Sequence, residues 1–300
     1  AARSALNHSS YDPKKLALIY AGVAVGFDLL ITVVNYILSL QIGSSGGIAG
    51  LGTKGIYTTF QVLLPVISML FVPLWDLGML RACMNFMRNE EVSPRTLTAG
   101  FRRFGPVLRL LLLRALLMMA VMLLAVNIGS FLFSVSPWSA PLLSLAETFM
   151  ETATITEEMI AQMMPAIAPL YGIVLAVFCI LAIPFFYRLR MADFILMDKA
   201  TGAASALMFS RQLMRSNRFK LFKLDLSFWW YYAISIVSIA VCYLDVILAT
   251  AGIVLPFSPN VQLFLFFGLY ALIRFFLCWQ SGSYINTAYA IAFDSIAPKA

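Results

Sequence analysis

The side chains best placed to do chemistry are a few charged and polar residues set inside long apolar runs. Asp28 lies about 12 residues into the run 16–40, and Arg274 about 12 residues into the run 261–293. At about 1.5 Å of rise per residue both fall near the middle of a bilayer. A charge at that depth is costly, so the two are expected to pair. Asn35 shares the helix face of Asp28 and extends the network. Arg114 lies about two turns inside the third run, and either Asp76 or Asp225, near the ends of the second and fifth runs, can neutralise it. Asp245, at the far end of the fifth run, is expected to reach water. Two readings fit this set: an ion or substrate path, or paired charges that pack a bundle.

The sixth run is polar over half its length, with Gln280, Ser281, Ser283, Tyr284, Asn286, Thr287 and Tyr289 around Gly282. Such residues line a cavity or hydrogen-bond between helices. Gln280, Ser283, Tyr284 and Asn286 therefore join Asp28, Asn35 and Arg274 as candidates for a substrate cavity.

Enzyme motifs fare poorly. Glu90-Glu91-Val92-Ser93-Pro94-Arg95 matches the EExxxR string of membrane-embedded prenyl-protein proteases, but that chemistry also needs histidines on neighbouring spans. The only histidine is His8. Its isolation also removes HExxH zinc sites and serine–histidine pairs. There is no GxGD motif for aspartate-dyad proteolysis, and no P-loop or GxGxxG follows a strand. Cys83, Cys179, Cys242 and Cys278 form no CxxC, and three lie in apolar runs as small packing residues. No catalytic residue, metal ligand or cofactor is expected.

The elements that hold these residues follow from composition. Of 300 residues, 61% are hydrophobic and 12% charged, against about 45–50% and about 25% in soluble domains. An all-α membrane domain of six transmembrane helices over 1–300 is expected, with spans near 16–40, 59–80, 106–133, 165–187, 224–250 and 261–293. The first run is too long for a signal-peptide core and lacks a cleavage site. A weak parallel repeat relates 59–133 to 165–250, through Phe101-Arg102-Arg103-Phe104-Gly105 and Arg218-Phe219-Lys220-Leu221-Phe222. Convergent use of interfacial arginines explains that likeness as well.

Charge orients the spans. Of 21 Lys and Arg, 18 fall at one set of span ends, Lys54 alone at the other, and Arg114 and Arg274 inside spans. That asymmetry predicts a cytoplasmic basic side, with both termini inside. Two interfacial amphipathic helices are expected on that side. In one, Leu97, Gly100, Phe101 and Phe104 face lipid while Arg95, Arg102 and Arg103 face head groups. In the other, Ala206, Phe209 and Leu213 oppose Arg211, Arg215 and Arg218. Segment 135–164, with Glu147, Glu151, Glu157 and Glu158 and no cation, is expected as an exposed acidic exterior helix. Anionic lipid head groups are the expected partners of the arginines, rather than nucleic acid.

Residues 207–229, LMFSRQLMRSNRFKLFKLDLSFW, resemble a bacterial integral membrane family catalogued as domain of unknown function 975. Leu224, Leu226, Ser227, Phe228 and Trp230 fit its approach to a span. In 279–293 Tyr284 and Phe293 fit its terminal segment, with Ser283 where proline is usual and, just beyond, Asp294 where tyrosine is usual. The resemblance covers about 185–293, and the first half matches in layout alone. The membrane domain attached to some glycerophosphodiester phosphodiesterases is similar in layout too. The resemblance implies a multi-pass protein of the bacterial cytoplasmic membrane and no activity. The functional expectation is non-enzymatic handling or transport of a small solute or lipid, in a cavity lined by spans one, five and six. The alternatives are an accessory or scaffold subunit with a protein partner, and, more weakly, a lipid-acting membrane enzyme using Asp76 and Asp225.

Overall fold

A chain in hydrocarbon has no water to satisfy its peptide groups, so long apolar segments close their hydrogen bonds within helices. The computed structural model describes residues 12–44, 50–152, 157–199, 201–242, 244, 248 and 259–297, and no strand occurs among them. The helices are α1 (Pro13–Ser44), α2 (Gly50–Met87), α3 (Ala99–Arg102), α4 (Phe104–Ser134), α5 (Ala140–Thr152), α6 (Glu157–Leu189), α7 (Ala192–Asp198), α8 (Ala203–Leu213), α9 (Arg218–Ser227), α10 (Trp229–Cys242), α11 (Pro259–Gln280) and α12 (Asn286–Ile296). Among the described residues five stretches are long and apolar enough to cross a membrane: Pro13–Leu38, Ile56–Met87, Phe104–Ser134, Ile167–Asp198 and Phe264–Ile296.

The fifth expected span, 224–250, is not one straight helix. Residues Arg218–Ser227 and Trp229–Val241 meet at 63°, so a sixth crossing exists only if the bent pair is one span. The break falls at Phe228, whose N–H reaches back to the carbonyl of Asp225 at 2.9 Å. Arg218, Lys220 and Lys223 lie before the break, and the continuous apolar run after it. The fourth span is longer than expected. The crossing runs past residue 187 to Asp198, with α6 ending at Leu189 and α7 resuming at Ala192, and so includes Arg188, Arg190 and Asp193. Asp245 lies outside the described residues.

Packing is uneven along the bundle. The dense core gathers where the cations are, from Leu16 and Tyr20 through Met79 and Met84 to Leu196, Met214, Leu221 and Phe293. Towards the other end, apolar side chains stand bare, as at Met69 (71% exposed) and Leu272 (70%). Lipid-facing positions have this character, because hydrocarbon solvates leucine as well as another leucine does.

The two expected amphipathic helices sit differently from the prediction. Residues Pro94–Thr98 form a 3₁₀ turn leading into α3. Leu97 is fully buried in protein, not lipid. The approach to α2 is so close that a Cβ on Gly78 would meet the Leu97 carbonyl oxygen at 1.7 Å, and one on Gly100 the Leu74 carbonyl oxygen at 2.0 Å. In the second helix, α8, the inner face is Ala203, Ala206, Leu207 and Ser210, while Phe209 is half exposed. Each segment thus buries one face against the bundle and keeps apolar side chains on its surface, Phe101 (36% exposed) and Phe104 (45%) in the first and Phe209 in the second. In the acidic segment, α5 forms and Glu147 is exposed. The side chains of Glu151, Glu157 and Glu158 lie outside the described ones.

Gly78→Ala should therefore lower stability by about 3 kcal/mol, the upper end of the overpacking range, because backbone on both sides must move. Gly22→Ala, with nothing within 4 Å of the added carbon, should be close to neutral. Thermal unfolding of the two variants in one detergent checks this.

Candidate functional site

Six elements converge on a cavity of about 700 Å³ inside the cation-rich half of the bundle. Tyr20 comes from α1, Asp76 and Leu77 from α2, and Leu111, Arg114 and Met118 from α4. Phe186, Arg190 and Asp193 come from the α6–α7 crossing, Tyr231 and Tyr232 from α10, and Ser281, Asn286 and Tyr289 from the last crossing. Most of the wall is apolar, with a few polar groups aimed inward, as in small-molecule sites generally.

The charges in it are paired with care. Arg114 forks onto Asp193, with Nη1 to Oδ2 and Nη2 to Oδ1 both at 3.1 Å, and Nη2 also reaches the Leu189 carbonyl at 3.4 Å. A bidentate pair of this kind fixes orientation as well as charge. Arg190 donates to Asp225 at 3.0 Å and lies over the ring of Tyr289, 4.5 Å from its centroid. Asp225 also accepts from the hydroxyls of Tyr187, Tyr232 and Tyr289. Three phenols and a guanidinium thus replace the water that this carboxylate lost on burial. Asp76 is different. It accepts from the Tyr20 hydroxyl at 2.6 Å, and among the described residues no Lys or Arg nitrogen comes within 4 Å of it. Asp76 is the one cavity carboxylate left without a cation.

The last crossing changes winding here. Residues Ser281–Ile285 form a π-helical turn between α11 and α12. Such a turn inserts one residue and re-aims those after it, and it is frequent at functional sites. Gly282 sits in it against Tyr20, Met79 and Ala17, where an added Cβ would lie 3.1–3.4 Å from them. Its carbonyl accepts from the Cys83 thiol at 3.5 Å. Below the cavity, arginines lock the helix ends. Arg81 and Arg103 donate to the last carbonyls of α7, on Met197 at 3.1 Å and Leu196 at 2.6 Å, where the helix dipole favours positive charge. Arg88 bridges Asp198 and Asp294. Those hydrogen bonds push its guanidinium pKa further above the ordinary arginine value.

The expected residues are redistributed. Asp76 and Arg114 line the cavity but do not pair with each other. The true partner of Arg114 is Asp193, which the helical extension past residue 187 brings alongside. Asp225 pairs with Arg190 instead. Among the described residues no ion pair joins Asp28 to Arg274. Asp28 accepts from Ser68 at 3.3 Å, and the Arg274 Nε and the Asn35 Oδ1 are buried without a partner. Of the polar set on the last crossing, Ser281, Asn286 and Tyr289 line the cavity. Ser283 and Thr287 bond back to carbonyls of their own helix, at Trp279 and Ser283, and Gln280 and Tyr284 are not in the wall. Arg103 meets a helix end rather than a head group, whereas Arg95 and Arg102 are exposed.

Sequence reasoning passed over Tyr20, Arg190, Asp193, Tyr231 and Tyr232. The apolar residues that resume after Arg190, Met191 to Met197, signal that the helix goes on. The run Phe228 to Tyr232 marks an aromatic cluster at a helix start. Among the described residues no group of three or more His, Cys, Asp or Glu is disposed to hold a metal ion.

A family model described as "Protein of unknown function (DUF975)" matches residues 15–299. The likeness read from 185–293 therefore extends over nearly the whole chain. No curated protein and no solved structure matches.

Arg114→Met should destabilise the protein by stranding Asp193. Arg114→Met combined with Asp193→Leu should recover much of the loss, giving a coupling of about 1 kcal/mol or more. Both side chains are 26% exposed, which keeps the effect below that of a fully buried pair. A double-mutant cycle by denaturant unfolding measures it, and additive losses would show that the pair does not form.

Proposed function

The chain belongs to the DUF975 family, whose description assigns no activity, and from its geometry we propose a non-enzymatic integral membrane protein that binds and moves a small amphipathic solute or lipid. The observation that carries this reading is the cavity. Its volume of about 700 Å³ lies within the usual range for ligand sites, about 300–1,000 Å³. Its wall offers two guanidinium and two carboxylate groups beside leucine, methionine and phenylalanine. A ligand with a zwitterionic or polar end and an apolar body matches both surfaces. Asp76, lacking a cation of its own, is the group that meets the positive or hydrogen-bonding part of the ligand.

We orient the cation-rich end towards the cytoplasm of a bacterial cell, with both termini inside and the bent pair α9–α10 completing six crossings. The excess of Lys and Arg at that end supports this. Exposed Arg95 and Arg102 then meet anionic head groups. A second reading, an accessory subunit of a larger membrane complex, draws on α5, where Leu143 (59% exposed), Phe149 (45%) and Met150 (84%) flank Glu147. Native co-purification separates the two, since a carrier is complete alone or as a homo-oligomer.

Leu111→Trp fills the cavity without touching a charge. Wild-type protein purified from membranes should carry a small molecule or lipid detectable by native mass spectrometry, and Leu111→Trp, eluting and melting like wild type, should lose it. Equal retention by both proteins would contradict the proposal.

A further inference from the structure

Four arginines gather in a second recess, apart from the cavity. Arg188 stands at the end of α6, Arg211 on α8, Arg215 in the turn that follows, and Arg218 at the start of α9. With Gln212 and Met208 they line about 520 Å³. Among the described residues none of the four has a carboxylate within 4 Å. The Nε atoms of Arg188 and Arg218 are shut off from solvent with no hydrogen-bond partner. Buried donors of a charged group are rarely left so, because the lost hydration goes uncompensated.

The recess is also held in place by the fold. The Ser210 hydroxyl donates to the Arg188 carbonyl at 2.9 Å and ties α8 to α6. The turn between α8 and α9 is pinned by Met214 and Leu221, both fully buried. The Asn217 side chain adds a bond to the Leu213 carbonyl at 3.0 Å. Four like charges drawn together by a rigid backbone repel one another unless an anion sits between them. Guanidinium forks match the oxygens of phosphate, with several charge-assisted bonds at once.

We propose that Arg188, Arg211, Arg215 and Arg218 form one binding site for a phosphate group, carried by an anionic phospholipid or by a soluble phosphate compound. Arg211 and Arg215 close the outer side, and Arg188 and Arg218 supply the buried donors. Phe219 (82% exposed) and Met208 (66%) stand beside it, an apolar flank suited to an acyl chain. The site is independent of the cavity and stands or falls without it.

The test uses the full chain in phosphatidylcholine nanodiscs, without and with a minor fraction of phosphatidic acid, and in detergent with glycerol phosphate or inorganic phosphate. Binding is read by native mass spectrometry and thermal shift. One phosphate-bearing ligand per chain is expected, weakened at least about tenfold in Arg215→Gln/Arg218→Gln. The charge-matched Lys14→Gln/Lys15→Gln, at the exposed start of α1, should bind like wild type. Retention of phosphatidic acid alone identifies a lipid head group, and binding of the soluble compounds alone identifies a free phosphate. Both outcomes support the site. Binding of neither, or equal weakening in the two double variants, overturns it, the latter because it marks diffuse attraction between charges.

Discussion

Two arginines in the cation-rich half each find a carboxylate on a distant part of the chain, and the arrangement of that half follows from those two pairs. Arg114 enters from α4 and meets Asp193, and Arg190 enters from the other side and meets Asp225. Each pair joins separate parts of the chain, so satisfying the charges also fixes which helices stand together. A guanidinium without its carboxylate would be a charge taken from water with nothing in return, and the penalty is several kcal/mol per ion. Arg114, Asp193 and Arg190 all line the cavity, so the two pairs also shape its wall.

The rest of the cation-rich half supports that level. Gly78 and Gly100 let the segment after α2 press against the helix backbone with no side chain between. Leu97 then closes the core beneath the cavity. Arg81, Arg88 and Arg103 brace the ends of α2, α4, α7 and α12 through carbonyls and carboxylates. Among the described residues the far half carries few such ties and exposes its apolar side chains. One end is built like a soluble core and the other like a lipid-solvated bundle.

Composition and hydropathy made the helical membrane character legible, because both are sums over many residues and tolerate local error. The span limits were less so. Arg188 and Arg190 looked like the start of a loop, since single charges usually end an apolar run. Here the partner of Arg190, Asp225, lies on another helix, and nothing local reveals it. Asp28 and Arg274 make no ion pair within 4 Å among the described residues, for a related reason. Depth in the membrane can be counted along a helix, but rotation about the helix axis cannot be read without its neighbours. Asp76, Arg114 and Asp225 were legible as costly residues that need a purpose. Their true partners, Tyr20, Asp193 and Arg190, were not, because those contacts span 35 to 79 positions in the chain. The two arginine-bearing segments were recognised as amphipathic, yet periodicity cannot tell an apolar face that meets lipid from one that meets protein.

The proposed role requires the cavity to be open to water within the membrane, and Ser281, which lines it from the π-helical turn, reports on that directly. With Cys83, Cys179, Cys242 and Cys278 replaced, Ser281→Cys should react with a small water-soluble thiol reagent in intact membranes. Leu272→Cys, on the bare apolar surface of the same crossing, should not. A Ser281→Cys thiol as inert as that at 272, in protein that is folded and inserted, would contradict the account.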